Sequence, residues 1–372
     1  MIFYFALFLL FFLLSFLDIE NVKTSVKTRF YILSILLLIV LSGLRWKTGT
    51  DWDMYFYYFT TYKSFDEFNN GQFEFLYSSY AYIIKSLTNS YSVFLLVTSI
   101  FIIGFKAIMF RKLEPYFLVC LFAFYAIYMG DLFPVRQNIA ISIALLSFYF
   151  IIKRQKLAFV ISVIVATFFH NSAIILLAAY PIFYMKMSNK LILILIATSL
   201  LIGLSDVLTS ALRELKGLFN LGGGFLSERI TDKLQSYTTD SYSSNISSNV
   251  AFLISAARRL IILPIVLYLR KDIKSTVFNG YINLFVFSNI IFFLLSKVSI
   301  VFVRFTSYFA LAEILMIAIV LRSQKDKRIK VLLLIFFAIY LAIRLIVSIN
   351  TYRDLFDPYY WIFDKYIPRI TY

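Results

Sequence analysis

Apolar runs of roughly the length needed to cross a bilayer recur along the chain, separated by short polar or charged connectors. A helix needs about 20 mainly apolar residues to span the hydrocarbon core. Runs of this kind are too numerous here for the buried helices of a soluble protein. The pattern predicts an all-α polytopic membrane protein with about 11 to 12 transmembrane helices. The predicted spans are 2–17, 30–44, 91–110, 116–130, 134–152, 157–185, 191–204, 251–269, 278–296, 299–321 and 331–349.

The run 157–185 contains the only histidine of the chain, His170. Basic residues flank both of its ends, and if both ends lie on one side the segment must enter the membrane and return. Its arms, 157–169 and 172–185, are then each about 20 Å long at ~1.5 Å per residue, shorter than the ~30 Å hydrocarbon core. This interpretation predicts a broken or re-entrant hairpin near residue 170. The alternative is a single tilted helix, with 191–204 as the re-entrant piece.

An imidazole inside an apolar run is costly unless it faces protein polar groups or water. We therefore expect His170 to face a polar cavity that opens to the outside. A backbone carbonyl that satisfies the ring in the protein core is the simpler alternative.

The net charge of +16 reflects topology rather than nucleic-acid binding. Six connectors contain 19 of the 36 basic residues and five of the 20 acidic ones, whereas the rest contains 17 and 15. The positive-inside rule makes those connectors cytoplasmic. They are 18–29, 106–114, 153–156, 186–190, 270–274 and 322–330.

This orientation makes the chain a single integral membrane domain, 1–372, with three extracytoplasmic segments. A first loop, 45–90, contains a stretch typical of an amphipathic helix at the interface. A large loop covers 205–250, and 350–372 forms a tail. The single cysteine, Cys120, excludes an intramolecular disulfide framework.

Ionisable residues cluster at the start of the first loop, in GLRWKTGTDWDMY. This stretch contains Arg45, Lys47 and Asp51, and Glu74 follows near the start of the amphipathic stretch. Asp51–Trp52–Asp53 has the D-x-D spelling of metal–nucleotide sites, but a three-residue pattern arises easily by chance. No group of histidines and cysteines suggests a metal site, and we expect metal independence and no cofactor.

Several arginines lie within spans or at their predicted outer ends, against the charge bias of the rest of the chain. One interpretation is that each extends its charge to the lipid headgroups. The planar guanidinium also suits diphosphate oxygens, so an arginine-lined pocket would bind a lipid-linked diphosphate. The candidate binding residues of these spans are Arg136, Gln137, Arg258, Arg259, Arg304 and Tyr308, the last on the same helical face as Arg304.

These pieces together resemble the EpsG family of Wzy-type polysaccharide polymerases. The resemblance rests on GLRWKTGTDWDMY, on Glu74, on VRQNIAISIALLSFYFIIKRQKLAFVISVIVATFFHNSAIILL and on VRFTSYF. It implies a GT-C-like glycosyltransferase of the bacterial cytoplasmic membrane with its active site on the extracytoplasmic side. Such enzymes join undecaprenyl-diphosphate-linked oligosaccharide repeat units, as donor and acceptor, into O-antigen, capsule or exopolysaccharide. A chain-length regulator and a flippase are the expected partners, besides the lipid bilayer.

In that chemistry a base accepts the proton of the acceptor hydroxyl, and cations stabilise the leaving diphosphate. We expect His170, or else Asp51 or Glu74, to act as the base. A carboxylate that stabilises the cationic sugar is the alternative. Arg136, Arg304 and Arg45 are assigned to the diphosphate or to positioning.

Three other classes use similar parts. A lipid-linked glycan ligase differs only in its acceptor. A membrane O-acyltransferase also uses an intramembrane histidine, but its acyl donor is usually reached from the cytoplasm. A flippase needs a path open to both sides, and the connectors here are short and basic. The sequence favours the polymerase.

Overall fold

A computed structural model describes residues 1–20, 22–129, 132–133, 136–205, 207–208, 210, 249–364 and 366. Across these residues the regular structure is helical, and the one β feature is an isolated antiparallel bridge between Arg45 and Trp361. Seven described helices are long and apolar enough to cross a membrane, and five shorter apolar helices accompany them. The prediction of an all-α polytopic membrane protein is confirmed.

The helices follow the predicted apolar runs closely. They are α1 Ile2–Ile19, α2 Thr24–Gly43, α3 Trp52–Thr61, α4 Phe65–Phe68, α5 Phe75–Leu87, α6 Tyr91–Ser99, α7 Phe105–Leu113, α8 Phe117–Ile127, α9 Arg136–Ile152, α10 Lys156–Phe169, α11 Ala179–Tyr184, α12 Asn189–Leu204, α13 Asn249–Leu260, α14 Leu263–Leu269, α15 Thr276–Leu295, α16 Ile300–Ser323, α17 Lys327–Asn350 and α18 Arg353–Phe356. Two predicted spans are interrupted: a π-helix at Ile100–Gly104 joins α6 to α7, and α13 and α14 share another span.

The predicted break near residue 170 is confirmed. Helix α10 ends at Phe169, and His170 adopts an extended conformation with φ −158° and ψ 116°. The chain continues as a 3₁₀ helix over Asn171–Ala178 and then as α11. One uninterrupted helix through these residues, the alternative that the sequence left open, is wrong.

The chain forms two compact units, Met1–Leu177 with Ile314–Tyr372, and Ala178–Glu313. In the first unit, the carboxylate of Asp18 accepts hydrogen bonds from the backbone N–H groups of Leu118 and Val119, at 2.8 and 3.0 Å. These N–H groups belong to the first turn of α8, which has no intrahelical acceptor for them. Asp18, at the end of α1, therefore provides the hydrogen-bond acceptor for these N–H groups at the start of α8.

The C-terminal segment pairs with the start of the loop 45–90 in the same unit. The N–H of Trp46 donates to the carbonyl of Tyr360 at 2.9 Å, and that of Ile362 donates to Leu44 at 2.8 Å. These bonds place the described part of the tail 350–372 beside the first loop. The large loop 205–250 lies almost entirely outside the described residues.

One basic residue of the predicted cytoplasmic connectors, Lys106, is buried inside the protein. The connector 106–114 begins with Lys106, but this residue lies in α7 and is fully buried. Its ammonium group is 3.3 Å from the carbonyl oxygen and 3.4 Å from the side-chain oxygen of Asn138 on α9. A count of charges does not detect this, because the long side chain finds its polar partners on a distant helix.

In the second unit, the end of α11 is held by one amide. The side-chain nitrogen of Asn283 on α15 contacts the carbonyl oxygens of Ile182 and Met185 at 3.0 and 2.8 Å. These carbonyls lie at the end of a helix, where intrahelical donors are missing. The short helix α11 thus ends against α15.

Candidate functional site

The first loop folds into helices that carry aromatic side chains inward. On α3, the hydroxyl of Tyr58 donates to the carbonyl of Phe68 at 2.6 Å, and its ring packs edge-on against Phe73. Tyr55, one turn earlier, packs against Phe73 and Tyr77 of α5. This packing holds α3 beside the segment that leads into α5, where Glu74 lies.

Glu74 occupies the N-cap position of α5, yet its side chain makes no capping hydrogen bond. One carboxylate oxygen instead forms an ion pair with the guanidinium of Arg136, the first residue of α9. The other accepts a hydrogen bond from the backbone N–H of Asn171 at 3.1 Å. The carboxylate therefore connects the loop, the start of α9 and the break after α10.

The guanidinium of Arg136 makes two further contacts with the loop. Its Nε donates to the hydroxyl oxygen of Tyr55 at 3.2 Å, and its central carbon lies 4.3 Å from the ring centre of Phe73. The side chains of Arg136 and Glu74 are only 17% and 9% exposed. An ion pair with so little water around it is screened weakly, so removal of either partner leaves a poorly solvated charge.

The phenol of Tyr55 is nearly fully buried beside this pair. Burial raises its pKa above the usual value, the charge of Arg136 opposes this, and the charge of Asp51 adds to it. The hydroxyl therefore stays protonated at neutral pH. It is a hydrogen-bonding partner of Arg136 rather than a proton carrier.

His170 lies next to Asn171 in the chain. Its backbone N–H donates to Ala166 at 2.9 Å, and its carbonyl accepts from Ala173 at 2.9 Å. The ring Nδ1 is 2.6 Å from the hydroxyl oxygen of Ser172, and either group can donate, depending on the tautomer. The residue is half-buried.

A pocket of about 460 Å³ opens between the segment before α5 and the break after α10. This volume is in the range typical of ligand sites. Glu74 and Asn171 contribute polar groups, while Phe75, Ile164 and Phe168 form an apolar wall. These three are 46–50% exposed. The pocket therefore combines a carboxylate with a surface suited to a lipid chain.

The start of the first loop is a tight turn, and its predicted site residues have different environments. Arg45 is fully buried and donates to the backbone carbonyl of Thr48. Lys47 and Asp51 adopt the left-handed conformation, with φ of 47° and 60°. Asp51 is exposed at the N-terminus of α3. Its charge is a minor contribution to the raised pKa of Tyr55.

The remaining predicted residues divide between the units. Gln137 is half-buried beside Arg136. In the second unit, Arg258 donates to Ser255 of its own helix at 2.8 Å, and Arg259 lies 3.8 Å from the ring centre of Phe292. Arg304 is exposed and Tyr308 is fully buried. The binding roles predicted for these residues stay predictions.

Three members of the cluster are not among the residues that the sequence predicts: Tyr55, Phe73 and Asn171. Phe73 directly precedes Glu74, and Asn171 directly follows His170. Their position next to predicted site residues was the only sign in the sequence that they belong to the site. Tyr55 is one of five aromatic residues in MYFYYF, and only the packing of α3 selects it. Among the described residues no group of three or more histidines, cysteines, aspartates and glutamates is arranged to hold a metal ion.

The fold and this cluster define a multi-pass α-helical membrane protein with a carboxylate–arginine site beside a partly apolar pocket. The model of the EpsG family matches residues 28–361, which is more than half of the chain. The chain therefore belongs to the EpsG family. Neither a curated protein nor a solved structure matches it.

Proposed function

We propose that the protein polymerises oligosaccharide repeat units carried on undecaprenyl diphosphate, at the extracytoplasmic face of the bacterial cytoplasmic membrane. Membership of the EpsG family indicates a polysaccharide polymerase in a membrane. The observation that carries the site assignment is the carboxylate of Glu74, held by Arg136 and by the N–H of Asn171 at the pocket. The exposed apolar wall of that pocket suits a lipid-linked substrate.

The proposed reaction is one displacement at the anomeric carbon of the donor sugar. The acceptor hydroxyl oxygen forms the new glycosidic bond, and the bond from that carbon to the diphosphate oxygen breaks. The electron pair leaves on the lipid diphosphate, which needs no protein acid. The hydroxyl proton passes to a protein base.

We assign that base to Glu74, because its carboxylate lines the pocket. The sequence favours His170, but in the structure its neighbour Asn171 lines the pocket and donates to Glu74. His170 then acts by holding the break in the chain, through its contacts with Ala166 and Ser172. Asp51, exposed at the N-terminus of α3, does not line this pocket.

Arg136 orients Glu74 and supplies positive charge near the pocket. The lipid diphosphate requires further cations, and Arg258, Arg259 and Arg304 remain the proposed binding residues for it. Arg45 is assigned to the turn at the start of the first loop, because its guanidinium is buried against Thr48 and Phe133.

The test is polymerisation in nanodiscs by the purified protein, with lipid-diphosphate repeat units as the sole substrate. Glu74→Gln removes the proton acceptor but keeps an amide oxygen for Asn171, and its rate should fall by about 10²–10⁴-fold. His170→Gln should keep most of the activity. If His170→Gln fails and Glu74→Gln polymerises normally, both proteins being folded, the base is His170. In a second assay an acceptor without lipid diphosphate is added, and transfer to it by a protein that forms no polymer from the repeat units alone would indicate a ligase.

A further inference from the structure

A second pocket, of about 520 Å³, lies in the unit Ala178–Glu313, where α14 ends and α12 and α15 begin. It is lined mainly by basic and amide side chains. Its lining includes Asn189, Arg270, Lys271, Lys274, Ser275 and Asn279. Two predicted cytoplasmic connectors, 186–190 and 270–274, therefore meet at this pocket.

Among the described residues, neutral groups alone hold the guanidinium of Arg270. Its Nε donates to the side-chain oxygen of Asn279 at 2.7 Å, and its Nη1 donates to that of Asn189 at 3.0 Å. Asn189 in turn donates to the carbonyl of Leu267 at 3.2 Å, which fixes its amide. The guanidinium is oriented by two amides, but its charge is not neutralised by them.

The surroundings add positive charge. Lys271 and Lys274 line the same pocket, and no carboxylate lies within ion-pair distance of these lysines or of Arg270 in the described part of the chain. Ser275 caps the N-terminus of α15, a 20-residue helix whose first N–H groups face this end. Helix N-termini carry partial positive charge. The lining therefore combines three cationic side chains with a helix N-terminus, and this combination favours an anionic ligand.

The pocket is also at the level expected for lipid headgroups. It lies at the ends of apolar helices, and Tyr268 in the last turn of α14 is 66% exposed. The ammonium of Lys271 is 4.3 Å from the ring centre of Tyr268. Exposed tyrosines at helix ends are typical of the membrane–water interface, and basic pockets between such ends bind anionic lipid headgroups.

We propose that this pocket binds the phosphate of an anionic phospholipid, with Arg270 as the oriented donor and Lys271 and Lys274 as additional cations. The proposal concerns a site other than the Glu74 pocket and does not depend on the polymerase activity. A soluble phosphate offers the same chemistry, but it would not need a position beside an exposed interfacial tyrosine.

The experiment is native mass spectrometry of the protein released from nanodiscs that contain phosphatidylglycerol and phosphatidylcholine. Neutralisation of one interfacial cation weakens the attraction to anionic lipid roughly fivefold. We therefore expect Lys271→Gln with Lys274→Gln to reduce the affinity for phosphatidylglycerol about 25-fold. The matched control, Lys325→Gln with Arg328→Gln, removes two exposed cations from another connector and should retain the lipid.

A second variant tests the oriented guanidinium while keeping the shape of the pocket. Asn279→Asp places a carboxylate on Nε of Arg270, and phosphatidylglycerol retention should fall while the thermal unfolding temperature does not. Equal lipid loss in the control, or full retention in Asn279→Asp, would overturn the proposal. Displacement of the lipid by millimolar orthophosphate would overturn the lipid assignment in favour of a soluble phosphate.

Discussion

Two arginines of this protein, Arg136 in the first unit and Arg270 in the second, are both oriented by side chains. The partners of Arg136 include a carboxylate, whereas those of Arg270 are neutral. Arg136 has a carboxylate partner, Glu74, and a phenol partner, Tyr55. Arg270 has two amide partners and, among the described residues, no carboxylate. A guanidinium paired with a carboxylate orients that carboxylate, whereas one held by amides keeps its charge for a ligand. We therefore propose that the partner separates an arginine that organises a site, Arg136, from one that binds an anion, Arg270.

The largest expected effect concerns the side of the membrane on which each arginine lies. We expect Asn89→Cys, at the end of the first loop, to react with an impermeant thiol reagent on intact spheroplasts. Lys325→Cys should react only after lysis. The parent protein is the control, because its Cys120 is buried and should not label. Labelling of Lys325→Cys from outside would reverse the topology and place the Glu74 pocket in the cytoplasm.

Lysine substitution should separate the two arginines. Arg136→Lys loses the planar fork that reaches Glu74 and Tyr55 together, so polymerisation should fall by about 10²-fold or more, nearly as far as in Arg136→Ala. Arg270→Lys keeps a point charge that can bind phosphate, so most of the lipid retention should remain. Polymerisation rates and native mass spectra measure the two effects. Full activity of folded Arg136→Lys would argue against an organising role.

A smaller effect is expected from the phenol. Tyr55→Phe removes the acceptor for Nε of Arg136, and loss of a hydrogen bond to a charged group costs about 1.5–3 kcal/mol. We expect lower thermal stability and a modest loss of polymerisation rate. Tyr57→Phe is the matched control, since Tyr57 lies on the same helix but is 64% exposed. If both variants lose the same stability and polymerisation rate, the hydrogen bond between Tyr55 and Arg136 contributes to neither.

Much of the fold could be predicted from the sequence. A segment that crosses a membrane must be a long apolar run, and its backbone N–H and C=O groups must form their hydrogen bonds within the helix. The break at His170 was predictable as well, since its arms are too short to span the bilayer and carry basic flanks. The burial of Lys106 was not predictable. It depends on Asn138 of a distant helix, and charge counting treats every lysine of a connector alike.

The site could be predicted only in part, because its contacts are tertiary. Glu74 and Arg136 could be selected as ionisable residues at the predicted outer surface, but their pairing joins two distant parts of the chain. The phenol of Tyr55 could not be distinguished from its aromatic neighbours, because all lie on one short helix and only the tertiary contact with Arg136 singles it out. From sequence alone, the lysines beside Arg270 indicate topology and no more, since each of them also satisfies the positive-inside rule.

The central claim is that the carboxylate of Glu74 takes part in the chemistry and is not merely the partner of Arg136. Chemical rescue tests it most directly. Polymerisation by Glu74→Ala in nanodiscs is measured with and without added formate, which can occupy the space of the missing carboxylate. We expect the rate to fall by about 10²–10⁴-fold and formate to restore a substantial part of it. Polymerisation by folded Glu74→Ala at the parental rate would contradict the assignment.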